Sequence, residues 1–478
     1  MSISPILVSF KSAVHADRSH GAYKWLPGNL ASDFTSSPIE GELGWPQGTI
    51  AILNHAFENR LTRFTAWDTS GIRDPSQKKA LKCAASVYKR GVCVFDAADS
   101  LAHDAPAVHG SYQIEFGGQD ETITSLFEHV DSKKTFIIAD SNVARSWSLE
   151  SILGDVVAVV CSEDNKSLKT VGHILKLWED AGKKKEWLII GGGILGDIAA
   201  FCASLCGAPF ILVPTTLLAM ADACIGGKTG VSFPPYGKNQ LGHFAFPSKV
   251  MIWTKWLESL DDRQLHAGAA ECLKHFFLSG DISRMEQFVR AIGVKDYASL
   301  SQLLPKIVKI KADIISEDPD ERGKRAVLNL GHTLAHALEA VSAASHPASG
   351  GILHGEAVAV GLVFAGVLSK IVAGLSDQDC LTIVKTLQNA RCLISQSNLM
   401  DYLGVTTLDD SELFTRLYKY IQFDKKNYVA NEQISRWVLL KKLGLIAQDE
   451  KKDYTIEVKF EHIALAWTEL VEILKKEV

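Results

Sequence analysis

The sequence predicts an α/β protein in which a mostly parallel sheet in the N-terminal part is followed by a largely α-helical region. Two observations carry this. From about residue 112 to 260, short β-branched apolar runs alternate with helix-length segments, the pattern of a sheet covered on both faces. Beyond about 260 the strand signal nearly vanishes and apolar residues recur at helical spacing. Strands are expected at KTFIIAD (134–140), DVVAVV (155–160), EWLIIGG (186–192), PFILVP (209–214) and KVMIWT (249–254). Helices are expected between them at SLKTVGHILKLWEDAG (167–182) and GDIAAFCASLCG (196–207). The helical region contains amphipathic or apolar segments at 261–279, 303–317, 333–345, 355–375 and 411–424, then a late strand at RWVLLKKLG (436–444) and a terminal helix over 462–476. Residues 1–110 are the least readable. Strand-like runs at 49–57, 63–69 and 91–97 and a helical 75–90 make either a small α/β appendage or extra strands of the main sheet.

Composition narrows the class of protein. With 478 residues and 47% apolar content the chain can bury one large core or two to three domains. Fifty basic and fifty-five acidic residues give a formal charge of −5 with no long block of either sign, which argues against a nucleic-acid partner. Nine cysteines lack the paired spacing of a structural zinc cluster, and Cys202, Cys206 and Cys392 lie in apolar runs, as reduced buried thiols do. The apolar stretch in the first nineteen residues is too short to span a membrane and no membrane-length apolar segment is expected later, so a cytoplasmic chain without a membrane partner is expected.

Three segments carry polar residues that secondary structure alone does not require. GGGILGD follows a strand and opens a helix, so Gly191, Gly192 and Gly193 permit close backbone approach by a pyrophosphate at a helix N-terminus. A tight structural turn leaves the same trace, and the spacing is not GxGxxG. Asp140, Asn142, Glu163, Lys166, Thr215 and Thr216 sit at neighbouring strand ends, where they serve either as caps and loop residues or as contacts to a nucleotide. Lys228 in GGKTG, with Lys238 and Asn239 in YGKNQLG, offers donors to an anion, although the Walker spacing is missing. His332 and His336 share one helix face, His354 begins a new helix and Glu271 lies on an earlier one. Nitrogen and oxygen ligands from separate helices suit a catalytic zinc, and the spacing leaves open which two histidines bind it. Lys274, Lys311, Arg325 and Asn329 lie in or beside apolar helical segments, and Lys425 and Lys426 follow Asp424. Each alone is also compatible with a solvated surface.

Taken in order, GGGILGD, PTTLLAMADACIGGKTG, GKNQLGHFAFP, GAAECLKH and RAVLNLGHTLAHALE resemble the 3-dehydroquinate synthase family of sugar-phosphate cyclases, over roughly residues 112–447. The resemblance implies an NAD-binding α/β domain (111–260) and a mainly helical metal and substrate domain (261–478), preceded by an extension over 1–110. It assigns Glu271, His332 and His354 to zinc, with cobalt as the other candidate ion. It places Asp140, Asn142, Glu163, Lys166, Gly191, Gly192, Gly193, Asp197, Thr215, Thr216, Asp222, Lys238, Asn239 and Thr254 around NAD. Asp222, Lys228, Asn239, Lys274, Lys311, Arg325, Asn329, His336, Lys425 and Lys426 become the catalytic and substrate groups. The implied reaction oxidises the C5 hydroxyl of 3-deoxy-D-arabino-heptulosonate 7-phosphate, eliminates phosphate, reduces C5 again, opens the ring and closes it by an aldol step. The implied partner is a phosphorylated small sugar acid, and a homodimer is compatible with the family though no sequence pattern establishes one.

Two departures stand out. The stretch ASLCGAPFILVPTT is about two residues short, and Cys206 occupies the position before glycine where the family has a phosphate-binding arginine. Several residues, AASHPASGGI (343–352) among them, are inserted before His354. The competing readings are a cyclase for sedoheptulose 7-phosphate or a related sugar, a metal- and NAD-dependent polyol dehydrogenase, and a noncatalytic interaction protein on the same fold.

Overall fold

The structure, a computed structural model, describes residues 6–13, 107–118, 121–232, 239, 241–319, 321, 323–346, 351–422 and 434–476. The strands and helix expected between 49 and 97 lie outside these residues. In chain order the first nine strands are β1 (Ile6–Ala13), β2 (Ala107–Phe116), β3 (Thr135–Asp140), β4 (Val156–Val159), β5 (Glu186–Gly191), β6 (Phe210–Pro214), β7 (Lys228–Val231), β8 (Leu241–Phe244) and β9 (Lys249–Ile252). Seven of them form one sheet in the order β1-β2-β9-β6-β5-β3-β4. All neighbours run parallel except β1, which pairs antiparallel with β2 from Ile6 opposite Ile114 to Ala13 opposite Ala107. The start of the chain therefore adds an edge strand to the main sheet.

The five expected strands of this sheet are present. β5 is buried at five of its six positions, as a parallel strand covered on both faces must be. β2 escapes the sequence reading because polar residues interrupt it: Tyr112 and Ile114 face the core while Gln113 faces out. The hairpin of β7 and β8, with Lys228 opposite Phe244, is a second unexpected element. Its strands are too short and glycine-rich to show as an apolar run.

Helices α1 (Leu168–Asp180) and α2 (Gly193–Cys206) are the crossovers of the sheet. The helical region comprises α3 (Asp262–Ser279), α4 (Ile282–Gly293), α5 (Tyr297–Glu317), α6 (His332–Ser345), α7 (His354–Ala373), α8 (Asp377–Asn389), α9 (Gln396–Leu403), α10 (Ser411–Gln422) and α11 (Phe460–Lys475). The run expected as one strand at 436–444 is split. Strand β10 (Ile434–Trp437) pairs with β13 (Ile456–Lys459), whereas β11 (Leu440–Lys442) pairs with β12 (Leu445–Ile446). Val438 and Leu439 between them are buried, so apolar content there marks a core turn.

Helix α7 is long and apolar enough to cross a membrane by length and composition, but 78% of its apolar window is buried inside the fold. It is the central helix of this region and packs on α3, α6 and α11. At Gly361 the approach to α6 is so close that a Cβ would lie 2.0 Å from the carbonyl oxygen of Gly331, the residue that begins α6. That contact sets where His332, the next residue, enters the interior. Gly361→Ala is expected to destabilise the fold by about 1–3 kcal/mol, the usual cost of overpacking. An unchanged urea midpoint would contradict this close approach.

Candidate active site

The parallel strands deliver their ends to one edge, where ligands of α/β sheets bind. β5 ends at Gly191, and Gly192 caps α2 without a side chain, so the first turn's N–H groups face outward at the positive end of the helix dipole. A Cβ at Gly192 would come within 3.0 Å of Thr216 Cγ2, so the glycine preserves a narrow space beside the turn. Thr215 donates its N–H to the Gly191 carbonyl (3.0 Å), and Thr216 Oγ1 accepts from Ala219 N (3.1 Å), which fixes the adjoining loop. Asp140 Oδ1 accepts from the N–H groups of Asn142 (2.8 Å) and Val143 (3.4 Å), capping a short helix at the same edge. Lys166 is buried and its Nζ lies 2.5 Å from Asp197 Oδ2 on α2. These donors and the bare helix start fit a dinucleotide. Glu163 is exposed on the neighbouring loop, and Thr254 is buried where a 3₁₀ turn follows β9.

After β6 the chain makes a π-helical turn, Ala219–Ala223, which carries Asp222. Asp222 Oδ1 lies 2.8 Å from Lys311 Nζ, 3.5 Å from Lys274 Nζ and 3.6 Å from His275 Nε2. Lys311 also donates to the Asp222 carbonyl at 2.6 Å. Burial favours the neutral acid, yet Lys311 and Lys274 outweigh it and hold the Asp222 carboxyl well below the usual range. For Lys311 burial wins over Asp222 and pushes the ammonium down to about 8. Lys274 continues the chain of charge, its Nζ lying 2.5 Å from Glu271 Oε2.

Glu271 is wholly buried on α3, with His332 Nε2 and His354 Nε2 each 3.3 Å from its Oε1. Two atoms bound to one tetrahedral ion at about 2.0–2.1 Å stand roughly 3.3 Å apart, so the spacing suits zinc-like coordination. Neither Glu271 oxygen has a hydrogen bond of good geometry, an arrangement that a cation would complete. The supporting contacts aim the two rings. His332 Nδ1 faces the Leu330 carbonyl at 3.1 Å, and His354 Nδ1 faces Glu339 Oε2 at 3.3 Å, so both present Nε2 inward. Burial and Lys274 push His332 down to about 4, leaving it neutral. Burial acts likewise on His354, but Glu339 and Glu271 overcome it and raise that ring to about 10. His336 stacks edge-on against His332, ring centres 5.6 Å apart, without entering this triad. Glu271, His332 and His354 thus form one group that could hold a metal ion, and Asp222, Glu271 and His275 form another.

A second group of donors lies around β7. Lys228 pairs with Glu321, and Asn329 Nδ2 donates to the same carboxylate at 3.1 Å. Arg325 is 2% exposed; it donates to the carbonyls of Pro319 (2.5 Å) and Gly226 (2.9 Å) and lies over the Phe244 ring. Gly226 has φ +108, and a Cβ there would strike the guanidinium at 2.6 Å, so this turn requires glycine. Asn239 is exposed in a left-handed turn between β7 and β8. Lys238, Lys425 and Lys426 lie outside the described residues. Cys206 ends α2, opposite the glycine turn; fourteen residues span about 21 Å, so the position of the absent arginine is remote from that turn.

Glu321, His275, Glu339 and the pair Arg263–Glu356 are functional candidates that the sequence reading omits. His275 follows Glu271 by four residues, a spacing that predicts a shared helix face. Arg263 forms a fork on Glu356 (Nε to Oε1 2.7 Å, Nη2 to Oε2 2.8 Å) and donates to the Gly351 carbonyl at 3.0 Å. Glu356 Oε2 also accepts from Leu353 N at 2.8 Å, closing the start of α7 where His354 stands.

The family model for the 3-dehydroquinate synthase N-terminal domain matches residues 156–267 and that for the C-terminal domain matches 268–427. A 3-dehydroquinate synthase of Acinetobacter baumannii (strain AYE) is 35% identical over 365 residues, covering 73% of this chain and 94% of the relative. The chain belongs to the 3-dehydroquinate synthase family. Another family member, from Methylacidiphilum infernorum (isolate V4), is 34% identical over 331 residues, covering 68% of this chain and 84% of its own. Among solved structures, 2-deoxy-scyllo-inosose synthase complexed with carbaglucose-6-phosphate, NAD+ and Co2+ shares the fold. Its TM-score is 0.60 at 21% identity, covering 76% of this chain and 97% of that one. The 2-epi-5-epi-valiolone synthase ValA from Streptomyces hygroscopicus, with NAD+ and Zn2+ bound, superposes with a TM-score of 0.59 at 22% identity, covering 78% and 99%.

Because Glu356 fixes the helix start that carries His354, Glu356→Gln should weaken zinc binding about 10–100-fold, the usual effect of losing a ligand's support. Competition with a chelator measures this, and an unaltered affinity would deny the clamp its role.

Proposed function

We propose that the chain is a 3-dehydroquinate synthase, an NAD- and metal-dependent lyase that converts 3-deoxy-D-arabino-heptulosonate 7-phosphate to 3-dehydroquinate and phosphate. One observation supports it above the others. A continuous path of close polar contacts runs from Asp222 through Lys274 to Glu271 and its two histidines. In this reading residues 111–260 form the NAD domain and 261–478 the metal and substrate domain, after an extension over 1–110. A homodimer and a cytoplasmic location accompany it.

Glu271, His332 and His354 would hold the metal, while the turn at 191–193 with Lys166, Asp197, Thr215 and Thr216 would hold NAD. When bound, the dinucleotide supplies a hydride acceptor and the ion a Lewis acid at the reacting hydroxyl. Lys274, wedged between two carboxylates, is placed to orient hydroxyls of the sugar beside the metal ligands. Lys311 and Arg325 bind the C1 carboxylate, Arg325 with its guanidinium already fixed by two carbonyls. Lys228, Asn329 and His336 hold the phosphate near the C6 proton, so that the substrate's own phosphate accepts it as the C7–O bond breaks. Lys238, Asn239, Lys425 and Lys426 complete the proposed donor set. Enclosure keeps the released enolate from stray protonation before it closes the ring.

Incubation of the full chain with NAD, Zn2+ and the carboxylated heptulose phosphate should yield 3-dehydroquinate and equimolar phosphate. His332→Ala should lose the metal and nearly all turnover. Cyclisation of sedoheptulose 7-phosphate alone would shift the assignment to another cyclase. The value of about 8 for Lys311 gives a pH dependence. Its charge is present below that pH and lost above it, so kcat/KM for the carboxylated sugar should fall as pH rises through about 8. A profile flat from pH 7 to 9.5 would remove Lys311 from carboxylate binding.

A further inference from the structure

The donors assigned to phosphate already hold an anion supplied by the chain itself. Glu321 Oε2 is ion-paired with Lys228 Nζ, and its Oε1 accepts from Asn329 Nδ2 at 3.1 Å. Glu321 has φ +57, a left-handed conformation uncommon for a glutamate. The turn around it is tied down by Asp318, whose Oδ2 accepts from Gly323 N (2.8 Å) and Arg325 N (2.9 Å). The backbone therefore adopts a costly conformation that places one carboxylate between two donors. Burial opposes ionisation of Glu321, but Lys228 and Arg325 outweigh it and hold the carboxyl down at about 2. An anion arriving at neutral pH meets a charged competitor that has to be displaced rather than neutralised.

We propose that Glu321 is an intramolecular competitor for the phosphate donors: it occupies Lys228 and Asn329 in the empty site, excludes free inorganic phosphate and hastens release of the phosphate product. This rests on the assignment of Lys228 and Asn329 to phosphate. Displacing Glu321 costs every ligand of that subsite the same amount, but the consequence differs between ligands. Inorganic phosphate has only this subsite to repay the cost. A sugar acid repays it also through the groups that hold its carboxylate and hydroxyls, in the manner of binding energy from remote parts of a substrate. The device thus weakens the product more consequentially than the substrate.

The test is inhibition by inorganic phosphate of the NAD- and zinc-loaded full chain, with direct calorimetric titration of phosphate alongside it. Glu321→Gln, which keeps the shape and removes the charge, should bind phosphate roughly two- to fivefold more tightly, as expected from losing one partly exposed ion pair. If Glu321 instead only positions Lys228 and Asn329, phosphate binding will be unchanged or weaker, and the proposal falls. Lys228→Ala separates the two levels of argument. Loss of phosphate binding in Lys228→Ala with no gain in Glu321→Gln overturns the competitor alone. Unchanged binding in Lys228→Ala overturns the phosphate site and the competitor together. Should Glu321→Gln shift the unfolding midpoint, Glu321→Asn carries the same expectation, because it also removes the charge.

Discussion

A carboxylate with no exposed surface is the constraint around which this protein is arranged. Glu271 sits in the middle of α3, and removing its charge from water would cost several kcal/mol without compensation. Lys274 from the same helix and histidines from two others supply that compensation, which requires α3, α6 and α7 to meet at one point. Gly361 allows α7 to touch the start of α6, and the Arg263–Glu356 fork joins the first turns of α3 and α7. The helical packing is in this sense a solution to the problem of one buried charge.

The sheet contributes a second wall through the π-helical turn at Ala219–Ala223. From this turn Asp222 reaches Lys274 and Lys311, and two regions of different architecture share one network of charge. A buried network of this kind is weak as a source of stability and strong as a determinant of geometry, because each member has little freedom once its partners are fixed.

Much of this was legible in the residues. Apolar runs of β-branched residues located the parallel strands, and the ordered motifs named Glu271, His332 and His354, which the fold brings together. Spacing alone left the choice between His336 and the other histidines open, because a helix face does not say which ring finds a carboxylate. β2 and the β7–β8 hairpin were hidden by polar and glycine residues, and a core turn at Val438 and Leu439 imitated a strand interior. Glu321 gave no local signal. Its importance depends on a left-handed backbone and on donors 93 and 8 positions away in the chain, from β7 and from the turn before α6.

The clamp between Arg263 and Glu356 has a bearing on assembly. Glu271, His332 and His354, which could hold a metal, and the groups that aim the two rings fall between residues 263 and 356. Contacts among helices build most of this cradle, and Asp222 ties it to the sheet side through Lys274. Any displacement of Asp222 would therefore be felt at Glu271 through the ammonium that the two carboxylates share.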